Sequence, residues 1–226
     1  MKRSIVLSFV LLMAGLAAGC ASGKSSLKSQ DIADRVESIK RVGVIVAEAR
    51  IYNLGAGGSK EFNPDASERC EKCAESAALK SLVDRGYVAV LIPLDDDVRA
   101  LLSDYAKARG DISTPFQSNQ GKIEGVPLLA CAPQTCAKNG VDGVVFVGAV
   151  DHVSTGGRKA LLGAMAVFGI TGGQGIAYAD LSVVDRTGKL LYYDQKSGTN
   201  YSLTDDSNVL KVYGELVAGL PAAGGR

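Results

Sequence analysis

The sequence predicts an α/β domain, a mixed β-sheet of about five strands with helices packed on it. Three observations carry this prediction. Short β-branched runs alternate along the chain with longer amphipathic segments. Residues 141–153 form a run that is apolar on both faces in its first half, as in a central strand of a covered sheet. Residues 175–184 and 189–195 are strand-like runs separated by turn residues, which is typical of an antiparallel hairpin.

The first long strand and the helix after it follow from periodicity and capping residues. Residues 41–51 alternate around β-branched apolar positions, so they predict a strand. A glycine-rich stretch then ends it. Asp65 is placed to act as a helix N-cap, with Glu68 three residues later as its reciprocal capping partner. The helix is expected to run to about Arg85 and to stop at Gly86.

The middle of the chain predicts a strand, a helix, a loop and a weaker helix. Residues 87–93 are short and apolar, the pattern of a strand inside a sheet covered on both faces. Residues 95–97 are three aspartates, which offset the positive end of a helix dipole, and this helix is expected to end near Gly110. Residues 111–125 are polar and predict a long surface loop. Residues 127–139 are weakly helical.

The carboxyl-terminal part predicts a hairpin and a final helix. Residues 185–188, Asp-Arg-Thr-Gly, fit a type I turn followed by a left-handed glycine. Residues 206–218 predict the last helix, which Pro221 keeps from continuing. Its apolar stripe at helical spacing consists of Val209, Val212, Tyr213, Leu216 and Val217.

Composition and charge narrow the class of protein. Of the 226 residues, 46% are hydrophobic and 22% are charged, which excludes a collagen, a coiled coil, a polytopic membrane protein and a disordered tail. The formal net charge is +1, or −1 if Lys2 and Arg3 are removed with a leader. No binding to nucleic acid is therefore expected. His152 is the single histidine, and we predict no catalytic residue, no metal site and no cofactor.

The amino terminus has the pattern of an export signal. Lys2 and Arg3 precede an apolar run, residues 5–16, that fits a secretory signal and is too short to span a bilayer. The run ends in Leu-Ala-Ala-Gly-Cys at residues 16–20, and these residues resemble the lipobox of bacterial lipoproteins. An ordinary secretory peptide with a chance cysteine, or a loose anchor helix, remains the alternative.

The lipobox resemblance implies cleavage before Cys20, so that residues 1–19 are a signal peptide. It also implies a diacylglycerol on the Cys20 sulfur and a further acyl chain, such as palmitate, on the new amino group. Such chains would hold the protein at the membrane, since each buried CH₂ adds about 0.8 kcal/mol. No aspartate follows Cys20, and resemblance to enterobacterial sorting rules implies the outer membrane, facing the periplasm.

The rest of the chain predicts a tether and one domain. Residues 20–38 begin with small polar side chains and are expected to be a flexible tether. Residues 39–226 are then a single periplasmic α/β domain, long enough to bury a core without a metal or obligatory crosslinks. No stretch inside it is rich enough in proline, glycine or serine to separate two domains.

Two motifs in the domain resemble a known group of envelope proteins. Residues 140–148, GVDGVVFVG, and residues 181–191, LSVVDRTGKLL, look like the central strand and hairpin of periplasmic α/β lipoproteins. That group includes the curli secretion-channel lipoprotein and the lipoprotein activators of peptidoglycan synthases. The resemblance implies a non-catalytic binding or assembly role in the cell envelope, with an envelope protein or a second copy as partner.

Four cysteines remain besides the one in the lipobox: Cys70, Cys73, Cys131 and Cys136. An even number in an oxidising compartment favours disulfides, with three connectivities open. Local pairs and a crosslink between the two helices both remain open. The CxxC spacing at residues 70–73 also fits a thiol–disulfide exchange protein, although no aromatic residue precedes it and no strand leads into it. A four-thiolate zinc site is the remaining alternative, and export disfavours it.

Residues 160–170 form an unbroken apolar run that allows two interpretations. It is too short to cross a bilayer as a helix, and it does not alternate like a strand of a membrane barrel. One interpretation is a connection packed beneath the sheet. The other is an exposed element that contacts a partner, a second copy or the lipid surface. The residues that would make such a contact are Leu161, Leu162, Met165, Val167, Phe168 and Ile170.

Overall fold

The structure is a computed structural model that describes residues 26–117, 123, 126–167, 175–199 and 202–223. The predicted signal peptide and Cys20 lie outside the described residues. The strands are β1 (Leu27–Lys28), β2 (Arg41–Leu54), β3 (Lys60–Phe62), β4 (Val88–Leu91), β5 (Gly143–Ser154), β6 (Ala177–Asp185) and β7 (Leu190–Gly198). The helices are α1 (Ile32–Glu37), α2 (Pro64–Asp84), α3 (Asp96–Gln117), α4 (Ala132–Asn139), α5 (Gly156–Ala166) and α6 (Asp206–Ala218).

The predicted fold class is confirmed, because these strands form one mixed sheet with helices packed on it. Its strand order is β1-β7-β6-β5-β2-β3, and β4 also pairs with β2. The pairs β2–β4 and β2–β5 are parallel, whereas the other pairs are antiparallel. The five longer strands match the predicted number. The sheet reaches seven strands because β1 and β3, of two and three residues, extend it.

The central strands separate two hydrophobic cores. In β5, Val145 and Val147 pack under α2 and α6, whereas Val144 and Phe146 pack under α3 and α4. All four side chains are completely buried. We refer to these sides as the α2/α6 face and the α3/α4 face. A strand that buries both of its sides needs a run without polar residues, which explains the sequence of its first half.

Helix α2 begins with a different cap from the one predicted. The Asn63 side chain accepts a hydrogen bond from the Ala66 amide at 3.0 Å, and Pro64 is the first helical residue. Proline suits that position because its missing amide would lack a helical partner in any case. The predicted capping box of Asp65 and Glu68 is therefore wrong, and Glu68 instead pairs with Lys72 at 2.7 Å.

Strand β4 lies at an edge of the sheet, where the prediction for residues 87–93 expected a covered position. It pairs with residues 41–44 of β2, and Val88 and Leu91 are half-exposed. Its composition was misleading because every residue from 88 to 91 is apolar, whichever face it points to. An apolar pattern indicates that a strand is usually buried, but it does not show whether a second strand pairs with its outer side.

Helix α3 continues past Gly110, so the predicted loop at residues 111–125 starts too early. The reason is Ile112, which is 1% exposed and lies on the same side of the helix as Tyr105 and Ala108 in the α3/α4 core. This contact holds another turn of helix despite the cost of about 1 kcal/mol for a glycine in a helix. Most of residues 118–125 lie outside the described residues.

The hairpin and the last helix are confirmed as predicted. Gly188 has a φ of +87°, and its amide donates to the Asp185 carbonyl at 2.9 Å. The Asp185 carboxylate accepts from the Thr187 amide at 2.8 Å, which closes the turn. Helix α6 has the predicted bounds, and all five residues of its predicted stripe are buried.

Part of the predicted tether belongs to the domain. Residues 27–37 form β1 and α1, and Leu27 is 1% exposed. Asp31 accepts hydrogen bonds from Lys189 at 2.7 Å and from Arg35 at 2.5 Å, and Arg35 also reaches Asp185 at 2.6 Å. The tether expected for residues 20–38 therefore ends before residue 27, because these ion pairs join the segment to the β6–β7 hairpin.

The Asp31 ion pairs predict an acid-sensitive attachment of residues 27–37. Hydrogen bonds from Lys189, Ser29 and Arg35 hold the pKa of Asp31 well below its usual range. A lowered pKa stabilises the folded segment above the unfolded value of about 3.9, and this stabilisation is lost as the pH falls below it. We expect hydrogen-exchange protection of residues 27–37 to fall between about pH 4 and pH 2, ahead of the central strands. Asp31→Asn should reduce the difference between pH 7 and pH 3, since only the Arg35–Asp185 pair then remains, and unchanged protection in the native protein at pH 3 would contradict the prediction.

Candidate interaction surfaces

The four cysteines lie on opposite sides of the sheet. Cys70 and Cys73 are on α2, and Cys131 and Cys136 lie at the start and on the body of α4. The first pair packs in the α2/α6 core and the second in the α3/α4 core. The sheet therefore separates the two pairs, which excludes both a crosslink between the helices and a shared four-thiolate zinc site. In the described part of the chain, no three His, Cys, Asp or Glu residues are grouped as metal ligands.

The predicted disulfides are not formed, and all four thiols are free. Cys131 has helical backbone angles, which places its Cα about 9 Å from that of Cys136, beyond the usual limit of about 7 Å for a disulfide. Cys70 is 2% exposed and points into the core. Cys73 instead donates a hydrogen bond to Asp206 of α6 at 2.9 Å. The spacing of the cysteines in the sequence did not show which way their side chains point.

The environment of the CxxC motif disfavours the thiolate form. Burial raises the pKa of the Cys70 thiol to about 12. The hydrogen bond to Asp206, together with burial, raises the pKa of Cys73 to about 11. An exchange catalyst requires the opposite shift, since the thiolate is its nucleophile. The motif therefore lacks the electrostatic activation that thiol–disulfide exchange needs.

A buried charged cluster on the α3/α4 face was not predicted. Arg109 of α3 donates to Asp180 of β6 and to Glu48 of β2, each at 2.7 Å. Beside them the Tyr105 and Ser182 hydroxyls lie 2.7 Å apart. Burial raises the pKa of the Asp180 carboxyl, and the neighbouring guanidinium of Arg109 opposes that rise. The only signal in the sequence is Asp180, an aspartate in the middle of a largely apolar strand.

This cluster joins the third helix to the sheet. Gly148 leaves space for it, because a Cβ at that position would overlap the Asp180 carboxylate. Glu48 follows an irregularity in the register of β2, which turns its side chain toward Arg109. Since the carboxylates bind the guanidinium that lies between them, the cluster stabilises the packing of α3 and does not form an open site.

A small cleft of about 220 Å³, lined by several charged residues, lies near the β6–β7 turn. Its charged side chains bind other parts of the protein. Arg35 pairs with Asp185, and the Asp142 carboxylate accepts from the Lys40 and Arg41 amides at 3.0 and 2.9 Å. These bonds hold α1 and the start of β2 in place, so we assign the cleft a structural role.

Exposed apolar side chains form two groups at opposite ends of the sheet. The exposed large apolar residues are Phe62, Val83, Val88, Leu91, Leu94, Leu128, Leu161, Val167, Ile176 and Leu210. Four lie within residues 83–94, on β4 and the segments that flank it, and we call this group the β4 edge. Four others are Phe62, Leu161, Val167 and Ile176, and we call this group the α5 end. Exposed apolar groups of this kind mark interaction surfaces.

The β4 edge carries backbone groups that point away from the sheet. The Val88 amide donates to the Lys40 carbonyl at 2.9 Å, and the Ile92 amide donates to the Val44 carbonyl at 3.1 Å. Because alternate residues of a strand bond toward opposite sides, the backbone groups of Ala89 and Leu91 point outward. No described strand pairs with that side of β4. The edge is therefore open to another strand.

The α5 end is built around a helix that the domain does not cover. None of the residues of α5 is buried, and Leu161 and Val167 are 43% and 82% exposed. Leu162 and Met165 are half-buried. The interpretation of residues 160–170 as a connection packed beneath the sheet is therefore wrong for the described part. Two more of the predicted contact residues, Phe168 and Ile170, lie outside the described residues.

Aromatic side chains lie where the strands end, on the α3/α4 face of the sheet. The Tyr52 ring stacks on His152 at 5.4 Å between centroids and meets Phe62 edge-on at 5.9 Å. His152 faces Ile176 across the sheet, and its Nδ1 lies 3.2 Å from the Ile176 carbonyl oxygen. These side chains form one row across neighbouring strands, which the sequence did not reveal because they are far apart in the chain.

In the parts of the chain that the structure describes, no helix combines the length and the apolar character needed to cross a bilayer.

No protein-family model matches the sequence, and none of the curated proteins matches it. Among solved structures, the C-terminal domain of LpoB from Salmonella enterica is similar at 9% sequence identity and a TM-score of 0.30. The match covers 76% of this chain and 96% of that domain. The resemblance to periplasmic α/β lipoproteins stays a prediction.

Proposed function

We propose that this protein is a lipid-anchored, non-catalytic component of the bacterial envelope that binds an extended segment of another envelope protein along its β4 edge. The observation that carries the binding role is the open edge itself: no described strand pairs with the outer side of β4, and exposed apolar side chains flank it. The lipobox at residues 16–20 supports the location. The raised pKa values of the Cys70 and Cys73 thiols favour a role without thiol exchange.

The chemistry of the edge selects an extended peptide as the ligand. The outward amides and carbonyls of Ala89 and Leu91 can only be satisfied in a regular way by a strand that adds to the sheet. Val88 and Leu91 point to opposite faces of the sheet, so an added strand would meet an apolar side chain on each face. An apolar partner segment fits this arrangement best. Soluble proteins usually protect such edges with charges or proline, and β4 has neither.

A photo-reactive residue at position 88, introduced into the full-length protein in cells, tests the proposal. We expect crosslinks to another envelope protein from Val88. We expect none from the same residue placed at Leu210, an exposed leucine of α6 that is distant in sequence. A crosslink between two copies of this chain would overturn the proposal in favour of a self-assembling scaffold. The absence of crosslinks from position 88 would overturn it as well.

The variant Ala89→Pro tests whether backbone hydrogen bonds, and not only side-chain contacts, hold the partner segment. The Ala89 amide points outward, so proline removes a donor from the open edge without removing a bond to β2. We expect Ala89→Pro to abolish the crosslink from position 88 while the melting temperature stays nearly unchanged. A crosslink of undiminished yield from a folded Ala89→Pro protein would contradict strand addition.

A further inference from the structure

Helix α5 has no polar side. Residues 160–167 are Ala-Leu-Leu-Gly-Ala-Met-Ala-Val, and the only charged side chains of the helix are Arg158 and Lys159 in its first turn. Helices that are apolar all round are normally buried. This one is not, since most of its residues are exposed and none is buried. The contrast indicates a surface that is covered in the environment where the protein works.

The topology places this helix at the end of the sheet toward which β1 points when it is traced back to the amino terminus. Helix α5 follows directly after β5, whose last residue, Ser154, lies beside Leu54 of β2. Strand β1 runs antiparallel to β7, with Leu27 opposite Tyr193. Traced back from Lys28 to Leu27, the chain therefore runs toward the carboxyl-terminal half of β7. That half of β7 ends opposite Ala177, which lies beside the last residues of β5.

The length of the tether allows the lipid anchor to reach this end. Six peptide units separate Cys20 from Ser26, and an extended chain of that length spans at most about 20 Å. Leu27 lies opposite Tyr193, five residues or about 17 Å before Gly198 at the end of β7, so a segment of this length is long enough to bring the anchor to that end. The same end carries α5, Phe62 and Ile176. The β4 edge lies about 30 Å away along β2, since ten residues separate Val44 from Leu54.

The side chains at the α5 end match the chemistry of a lipid surface. Lys159 is exposed at the start of the helix, next to apolar residues, as in helices that lie in the headgroup region of anionic membranes. Arg158 binds the Gly55 carbonyl at 3.3 Å and so ties the start of the helix to the β2–β3 turn. Tyr52 and Phe62 add aromatic rings, which are enriched at membrane interfaces.

We propose that α5 lies in the surface of the membrane that holds the lipid anchor, with Leu161 and Val167 inserted among the lipids. This inference rests on the proposed lipidation of Cys20. The helix then acts as a second attachment, and it orients the domain so that the β4 edge points away from the membrane toward its partner. The acyl chains on Cys20 would already hold the protein at the membrane, so the main effect of the helix is to fix the orientation of the domain.

Because the chain contains no tryptophan, the fluorescence of a single introduced tryptophan reports the environment of that position alone. The full-length lipoprotein is prepared with Leu161→Trp or with Leu210→Trp, two positions on helices that are each 43% exposed. Each variant is reconstituted in vesicles of phosphatidylethanolamine and phosphatidylglycerol. We expect the emission at position 161 to shift to shorter wavelength, to be quenched by brominated lipid and to be severalfold less accessible to acrylamide. The control at position 210 should show none of these changes.

Other outcomes separate the failure of this proposal from that of the lipid anchor. If mass spectrometry shows acyl chains on Cys20 and position 161 behaves like position 210, the membrane-docking role of α5 is overturned while the anchor stands. Protection from acrylamide without quenching by brominated lipid would also overturn it, because the helix would then be covered by protein. A product without acyl mass that does not associate with vesicles would overturn the proposed function itself.

Discussion

Replacing Arg109 with methionine is expected to lower the free energy of unfolding by about 3–5 kcal/mol at pH 7. The Asp180 side chain is only 4% exposed, and Arg109 is the cation that pairs with it at 2.7 Å. Methionine keeps much of the apolar stem but leaves the buried carboxylate of Asp180 facing the half-buried carboxylate of Glu48. Urea unfolding followed by circular dichroism measures the loss as a lower midpoint at an unchanged slope.

Two comparisons test whether the unpaired carboxylate of Asp180 causes the loss of stability in Arg109→Met. Arg99 is on the same helix but pairs with Asp96, whose side chain is 98% exposed, so Arg99→Met is expected to change stability by less than about 1 kcal/mol. Burial raises the pKa of Asp180, and in Arg109→Met no guanidinium opposes that rise. The free-energy cost of keeping Asp180 ionised in the folded protein therefore grows as the pH rises above the unfolded value of about 3.9. We therefore expect a smaller loss at pH 4 than at pH 7. Equal losses at both values, or equal losses in the two variants, would contradict the assignment.

Replacing Phe146 with alanine is expected to lower the free energy of unfolding by about 3–5 kcal/mol, because it opens a cavity in the α3/α4 core. Phe146 is completely buried in the central strand β5. Its ring stacks on that of Tyr105, with 4.1 Å between centroids and 6° between planes. The Tyr105 hydroxyl forms a hydrogen bond with Ser182 beside the charged cluster. Loss of the Phe146 ring therefore also weakens the packing of α3 on the sheet. Thermal and urea unfolding measure the effect.

The matched control is Phe62→Ala. Phe62 is 52% exposed at the α5 end, so its removal leaves no cavity and is expected to change stability by less than about 0.5 kcal/mol. A similar loss in both variants would show that Phe146 is not the centre of the core. A loss confined to Phe146→Ala, with the far-ultraviolet spectrum retained, is the expected result.

Much of the fold was predictable because local chemistry decides it. Strand β5 contains a run apolar on both sides, and only a covered central position suits it. The turn at residues 185–188 needs a left-handed residue, and Gly188 supplies it at a φ of +87°. The stripe of helix α6 buries one side at the helical period, and all of its predicted residues are buried. In each case the residues that carry the signal are neighbours in sequence.

The surfaces were less predictable because they depend on residues that are far apart in the chain. The CxxC spacing suggested a disulfide, yet Cys70 points into the core and Cys73 bonds to Asp206 of another helix. The apolar pattern of β4 suggested a covered strand, yet no described strand lies on its outer side. Pattern reading detects apolar character but not whether a neighbour is present to cover it.

The amino-acid sequence alone determined the α/β class, the central strand, the hairpin and the last helix, since hydrophobic period, turn residues and caps act within a few residues. It also carries the export and lipidation pattern at residues 1–20, which is read as a linear signal. Only the tertiary structure decided that the cysteines lie on opposite faces, that Arg109 joins Glu48 and Asp180, and that α5 is exposed. The physical reason is that burial and pairing are set by how the strands are ordered in the sheet, and strand order depends on contacts between distant parts of the chain.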